Sequence, residues 1–118
     1  MVVGHWHDVQ ADLRGPAREL REKIPEVYKG FAQLHAASLA DGALTARTKE
    51  LIALAIAVAD RCDGCIASHA RGAVRSGATP EEVAEALGVT LMMGGGPATV
   101  YAPRAWEAYQ EFLAEKPA

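Results

Sequence analysis

The sequence is short of several things, and each shortage removes a class of protein. It has two cysteines in 118 residues, so a four-cysteine zinc site is excluded by count. It has no surplus of positive charge. The formal net charge is −3, and Arg and Lys are scattered without a dense block. That leaves no footprint for nucleic acid and no basic patch for a lipid surface. It has no long apolar run: the longest, Leu51 to Ala59, is nine residues, too short to span a bilayer. The N-terminal stretch MVVGHWHDVQADLRG lacks a basic region followed by an apolar one, so no signal peptide is expected and the predicted location is cytoplasmic. In a reducing compartment a purely structural disulfide is not expected either. Strand-like alternation is scarce, and neither a repeat, a linker nor a low-complexity segment is visible.

What remains is helix. Half the residues are apolar, rich in Ala and Leu at helical spacing. The length fits one domain. The expectation is an all-α, compact bundle of six or seven helices over residues 1–118, with N-terminal helices in 1–40 and a motif-bearing core in 45–113. A first short helix or arm, about Trp6 to Leu13, is expected to end before Gly15-Pro16, and a second to run from about Ala17 to Lys23. Pro25 suits the first position of a third, because its missing N–H costs nothing there. That helix carries the apolar stripe Val27, Phe31, Leu34 and Leu39, and Asp41-Gly42 stops it.

Thr45 or Thr48 can cap the next helix, whose segment 51–59 is apolar on every face. Such a segment is buried all round, in the core or between subunits. A further helix starts near Cys62 to Cys65 and runs to Ser76, with Gly77 as its C-terminal residue. Thr79-Pro80-Glu81-Glu82 has the form of a capping box. Its helix runs to about Met93, where Gly94-Gly95-Gly96-Pro97 breaks it. That glycine run lacks the Lys-Ser/Thr and the preceding strand of a phosphate loop, so a tight turn is expected. Met92-Met93 reads as core. The last helix, about Ala98 to Leu113, places Trp106, Tyr109, Phe112 and Leu113 on one side.

The strongest chemical signal is Cys62-Asp63-Gly64-Cys65. Thiols at i and i+3 at a helix N-terminus lie close enough to close a disulfide, and the dipole and free N–H groups there favour thiolate. The plainer alternative is two buried cysteines acting as small hydrophobes. His69 stands one turn beyond Cys65 on the same helix face, where an imidazole can take a thiol proton and return it. Alone it would read as a surface histidine. Cys62, Cys65 and His69 are also zinc-ligand types, but they make a cramped shell, and no metal is expected. His5-Trp6-His7 lies on a terminal arm and is given no task. Glu50 reads by itself as a first-turn acid that suits the helix dipole.

The string Glu50, eleven residues, Cys62-Asp63-Gly64-Cys65-Ile66-Ala67-Ser68-His69 resembles the signature of the carboxymuconolactone decarboxylase superfamily, in particular its alkylhydroperoxidase D-like branch. The likeness runs from about Thr45 to Tyr109. It includes Gly77-Ala78-Thr79-Pro80-Glu81-Glu82 and the later glycine-rich break. The resemblance implies an all-α fold that assembles as a trimer or hexamer, with the cysteine pair cycling between dithiol and disulfide. It implies a proton relay through Glu50 and His69, electrons from a lipoyl-bearing or thiol protein, a peroxiredoxin as acceptor, and a weak peroxidase activity on peroxide substrate. No cofactor is implied. Where the best-studied member has a second histidine just before the second cysteine, this chain has Gly64.

The resemblance also sets a geometric problem. On a straight helix Glu50 lies roughly 18 Å along the axis from Cys62. It reaches the pair only if the next helix folds back steeply or a neighbouring subunit supplies it. Two other readings stay open: a decarboxylase or lactone-processing enzyme, which does not need two cysteines, and a redox sensor without turnover.

Overall fold

The structure, a computed structural model, describes residues 4–116. The positions at the two ends of the sequence, 1–3 and 117–118, lie outside the described residues, as does that part of the 1–118 domain reading and of the stretch read for a signal peptide. Six α-helices run through the described residues, with no strand among them: α1 (His5–Lys23), α2 (Pro25–Leu39), α3 (Ala46–Ala59), α4 (Asp63–Arg75), α5 (Pro80–Gly94) and α6 (Gly96–Glu115). No helix of the described residues is long and apolar enough to cross a membrane.

The expected break at Gly15-Pro16 does not occur. α1 passes straight through Pro16. A mid-helix proline removes one N–H and crowds the carbonyl four residues back, at about 3 kcal/mol. Two things offset that cost. Position 16 is exposed, so solvent can reach the freed Asp12 carbonyl. The turns before it are pinned by tertiary contacts: Trp6 is fully buried, and its indole N–H donates to Glu107 at 2.8 Å. The chain breaks one proline later. Ile24 precedes Pro25, a position where helical ψ is disfavoured, and it adopts φ −134°, ψ 59°.

His5-Trp6-His7 is likewise no idle arm. The His7 ring bridges two carboxylates of α6, Glu111 through Nδ1 and Glu115 through Nε2, the latter at 2.8 Å. This clasp closes the N-terminus of α1 on the C-terminal turn of α6.

α4 is the central helix, packed on α3 and α6 and flanked by α1. Its buried face is Ile66, Ala67, Ala70, Ala73 and Val74, mostly alanine, which lets neighbouring backbones approach closely. Ala57 of α3 and Ala102, Ala105 and Ala108 of α6 answer with the same small residue. Large side chains fill the remaining volume: Leu54, Val83, Tyr109 and Phe112. The Tyr109 hydroxyl donates to the Ala78 carbonyl at 2.6 Å. The helix-end signals act as their chemistry dictates. Thr45 caps α3, and Thr79 and Glu82 exchange both bonds of a capping box on α5.

Two apolar readings are corrected. Met92 and Met93 are 73 % and 76 % exposed, not core. The buried face of α5 is Val83, Leu87 and Thr90; Met92 lies on the opposite side of the helix, and Met93 sits at the edge of that face in the last turn. Segment 51–59 is apolar all round but, within one chain, is buried only through Leu54, Ala57 and Val58; Ile52 and Ile56 stay exposed. The stripe Val27, Phe31 and Leu34 on α2 is exposed too, and α2 has no buried residue.

Candidate active site

The site is built where α3 turns back into α4. The last turn of α3 closes with two crossed backbone bonds, Arg61 N–H to the Val58 carbonyl (3.1 Å) and Cys62 N–H to the Ala57 carbonyl (3.1 Å). This arrangement puts residue 61 in the left-handed region, which glycine usually fills. Here it is Arg61, at φ 54°. The reversal is sharp enough to lay α4 antiparallel against α3 with no loop to spare.

Cys62 is the N-cap of α4. Its Sγ accepts the Cys65 backbone N–H at 3.2 Å, the place a serine or aspartate oxygen usually takes. Cys62 and Cys65 are joined as a disulfide, with Cα atoms 5.2 Å apart. Cys65 is exposed, while Cys62 is half-buried. A sulfur in this position feels the positive end of the helix, so α4 stabilises negative charge on it. Between them, Asp63 pairs with Arg104 of α6 at 2.6 Å, which pins the first turn of α4.

His69 lies one turn beyond Cys65. Its Nδ1 meets Glu50 Oε1 of α3 at 2.9 Å. The fold-back of α4 on α3 thus brings Glu50 to His69 within one chain and disposes of the distance along the helix axis. Glu50 is buried, with 8 % of its surface exposed, and this bond serves its carboxylate. A carboxylate accepts, so Nδ1 carries the hydrogen and Nε2 is the nitrogen left for proton exchange.

Two neighbours of this pair carry no signal in a motif. Gly72, three residues past His69, lies against the Glu50 carboxylate, and a Cβ there would overlap it. A mid-helix glycine one turn after a candidate base is a cue for such a close approach. His35, from α2, lays its ring nearly parallel to that of His69, centroids 6.0 Å apart and planes 19° apart. An apolar cavity of about 460 Å³ opens between α3, α5 and α6. Arg61 lines it, but Glu50, Cys62, Cys65 and His69 do not. No cluster of three or more metal-ligating side chains occurs among the described residues.

Residues 25–108 match the family model of the carboxymuconolactone decarboxylase family. The chain belongs to that family. Among family-like relatives, an uncharacterised protein of Cupriavidus necator is 43 % identical over 86 residues, 73 % of this chain and 76 % of its own length. Another uncharacterised protein, from Haemophilus influenzae, is 39 % identical over 104 residues, 88 % of this chain and 92 % of its own. The fold matches the apo crystal structure of a carboxymuconolactone decarboxylase family protein from Legionella pneumophila, with a TM-score of 0.88 and 44 % identity over 92 % of this chain and 96 % of that one. A Thermotoga maritima protein superposes with a TM-score of 0.71 and 37 % identity, covering 83 % and 91 %. Carboxymuconolactone decarboxylase family membership therefore extends across the helices that build the site.

Proposed function

We propose that this chain is a thiol–disulfide oxidoreductase of the alkylhydroperoxidase D-like type, with Cys62, Cys65, His69 and Glu50 as its working residues. One observation carries the reading: a cysteine pair with one exposed sulfur opens a helix whose next turn bears a histidine bonded to a buried glutamate.

In the peroxidatic direction the Cys65 thiol gives its proton to His69, and the thiolate attacks the distal oxygen of a hydroperoxide. The O–O bond breaks, the alcohol leaves with a proton from His69, and Cys65 becomes a sulfenic acid. Cys62 then attacks that sulfur, water leaves, and the disulfide forms. One hydroperoxide is reduced to an alcohol and water as two thiols become one disulfide. A dithiol donor restores the pair: its thiolate attacks the exposed Cys65 sulfur, Cys62 departs as a thiolate held by the Cys65 N–H, and the donor's second thiol then attacks its own sulfur in the mixed disulfide, which frees Cys65 and leaves the donor as a disulfide. A lipoyl-bearing or thiol protein is the donor this chemistry suits, and a peroxiredoxin disulfide is an alternative acceptor. Neither metal nor cofactor enters these steps.

The working form is a homo-oligomer of three or six chains in the cytoplasm. The apolar residues left bare by one chain on α2, α3 and α5 support this. Light scattering at micromolar concentration should give a multiple of the chain mass.

The deciding experiment is thiol titration of reduced protein before and after one equivalent of cumene hydroperoxide. Loss of both thiols, restored by dihydrolipoamide, is expected. Retention of both would remove the peroxidatic reading and bring forward a decarboxylase or lactone-processing activity.

A further inference from the structure

We propose that His35 is a positioning residue for His69: α2 presents a second imidazole that fixes the plane of the histidine beside the cysteine pair. The proposal rests on the oxidoreductase reading of that site.

The geometry makes the case. His69 is held at one nitrogen by Glu50, at 2.9 Å. One hydrogen bond leaves the ring free to swing about its axis. A flat ring laid against it, 6.0 Å between centroids and 19° from parallel, limits that swing and keeps Nε2 aimed in one direction. No hydrogen bond joins the two rings, since the side-chain partner of His69 is Glu50, so the contact is one of packing.

The position of the contact on α2 is informative. That helix buries nothing of its own. Its C-terminal end is tied down beside α3: Lys49 Nζ donates to the Ala40 carbonyl at 2.6 Å, and Asp41 accepts the Ala46 N–H at 2.7 Å. His35 sits about one turn before that tether, so a helix with few other anchors is fixed where it meets the site.

The test uses stopped-flow loss of thiols in the reduced full chain with cumene hydroperoxide, from pH 5 to 9, in wild type, His35→Ala and His35→Phe. Ring-proton NMR shifts of His69 are followed in parallel. His35 is exposed, so both variants should fold, as circular dichroism will verify. Expected is a rate loss on the order of tenfold in His35→Ala. In His35→Phe most of the rate returns, and the His69 ring shift that His35→Ala loses is kept. If wild type loses both thiols and the two variants match it at every pH, the His35 proposal fails while the oxidoreductase reading stands. If wild type loses no thiols, that reading fails and takes the role of His35 with it, whatever the ring shifts show.

Discussion

The carboxylate of Glu50 occupies the space that a side chain at position 72 would fill. Gly72 thus makes room for the Glu50–His69 bond, although it touches neither cysteine. Gly72→Ala sets two effects against each other. Alanine is the better helix former by about 1 kcal/mol, but its methyl must push the carboxylate aside. The carboxylate is the end of a flexible side chain, so it moves at modest cost. Stability should stay within about 1 kcal/mol of wild type by urea denaturation, while peroxide turnover falls to the level of Glu50→Gln. Gly88→Ala is the control: open space surrounds it in α5, so it should stabilise by up to about 1 kcal/mol and leave turnover unchanged.

Arg61 stands at φ 54°, where most residues carry a penalty of about 1–2 kcal/mol. The equivalent end of α4 solves the same problem with Gly77, at φ 85° and with the same pair of crossed bonds. Arg61→Gly should relieve the penalty but give back part of it as chain entropy, for a net gain of about 1 kcal/mol. A midpoint shift to higher denaturant, with an unchanged slope, would verify it; a lower midpoint would mean that the Arg61 side chain contributes more than its backbone costs.

The clasp between α1 and α6 should make stability depend on pH with a defined window. Burial of the His7 ring disfavours its charged form, but the hydrogen bonds it donates to Glu111 and Glu115 and their negative charge outweigh this and push His7 above the ordinary 6.5. A group with a raised folded value stabilises fully below its unfolded value and loses that contribution as pH rises through the folded one. Glu111 is pushed up by burial yet ends below the ordinary 4.5, because His7 and the Trp6 and His7 N–H groups hold its charged form. Glu115 is lowered chiefly by its hydrogen bond with His7. Their contribution is present above 4.5 and fades as pH falls below it. The clasp is therefore strongest between about 4.5 and 6.5. His7→Gln should flatten the decline in melting temperature above that window; an unchanged decline would assign it to other groups.

How much of this was legible in the sequence follows from how local each signal is. Thr45, Thr79-Pro80, Pro25 and Gly77 act on the turn in which they stand, and each helix end falls where their chemistry puts it. Pro16 carries the same kind of signal and fails, because the burial of Trp6 about three turns earlier is worth more than one lost hydrogen bond. Met92 is apolar but falls on the wrong side of α5, which only the Val83, Leu87 and Thr90 register reveals, and Met93 sits at the edge of that face in the last turn. The Glu50–His69 bond depends on the angle at which α4 folds back, which spacing along the chain does not contain. His35 is further still from any motif: it reaches the site from a separate helix with no periodic pattern to announce it.

The four proposed working residues should fail as a unit. Cys62→Ser and Cys65→Ser should each abolish turnover with dithiothreitol or dihydrolipoamide as donor, since one thiol leaves nothing to resolve a sulfenic acid or mixed disulfide. The fold should survive both changes, because Cys65 is exposed and a serine at position 62 can accept the same N–H as an N-cap. In the Cys62→Ser variant the alkylation rate of Cys65 should rise with pH around a midpoint below about 8.5, the free-cysteine value, if the helix N-terminus and His69 favour its thiolate. His69→Ala should slow turnover on the order of 10²–10⁴-fold, the range for a lost general acid–base. Glu50 acts through His69, so His69→Ala/Glu50→Gln should be little slower than His69→Ala alone. Additive losses in that double variant would mean that Glu50 works independently of the histidine. Full turnover in both single-cysteine variants would make the disulfide a structural staple, and the family's decarboxylase chemistry would become the reading to test.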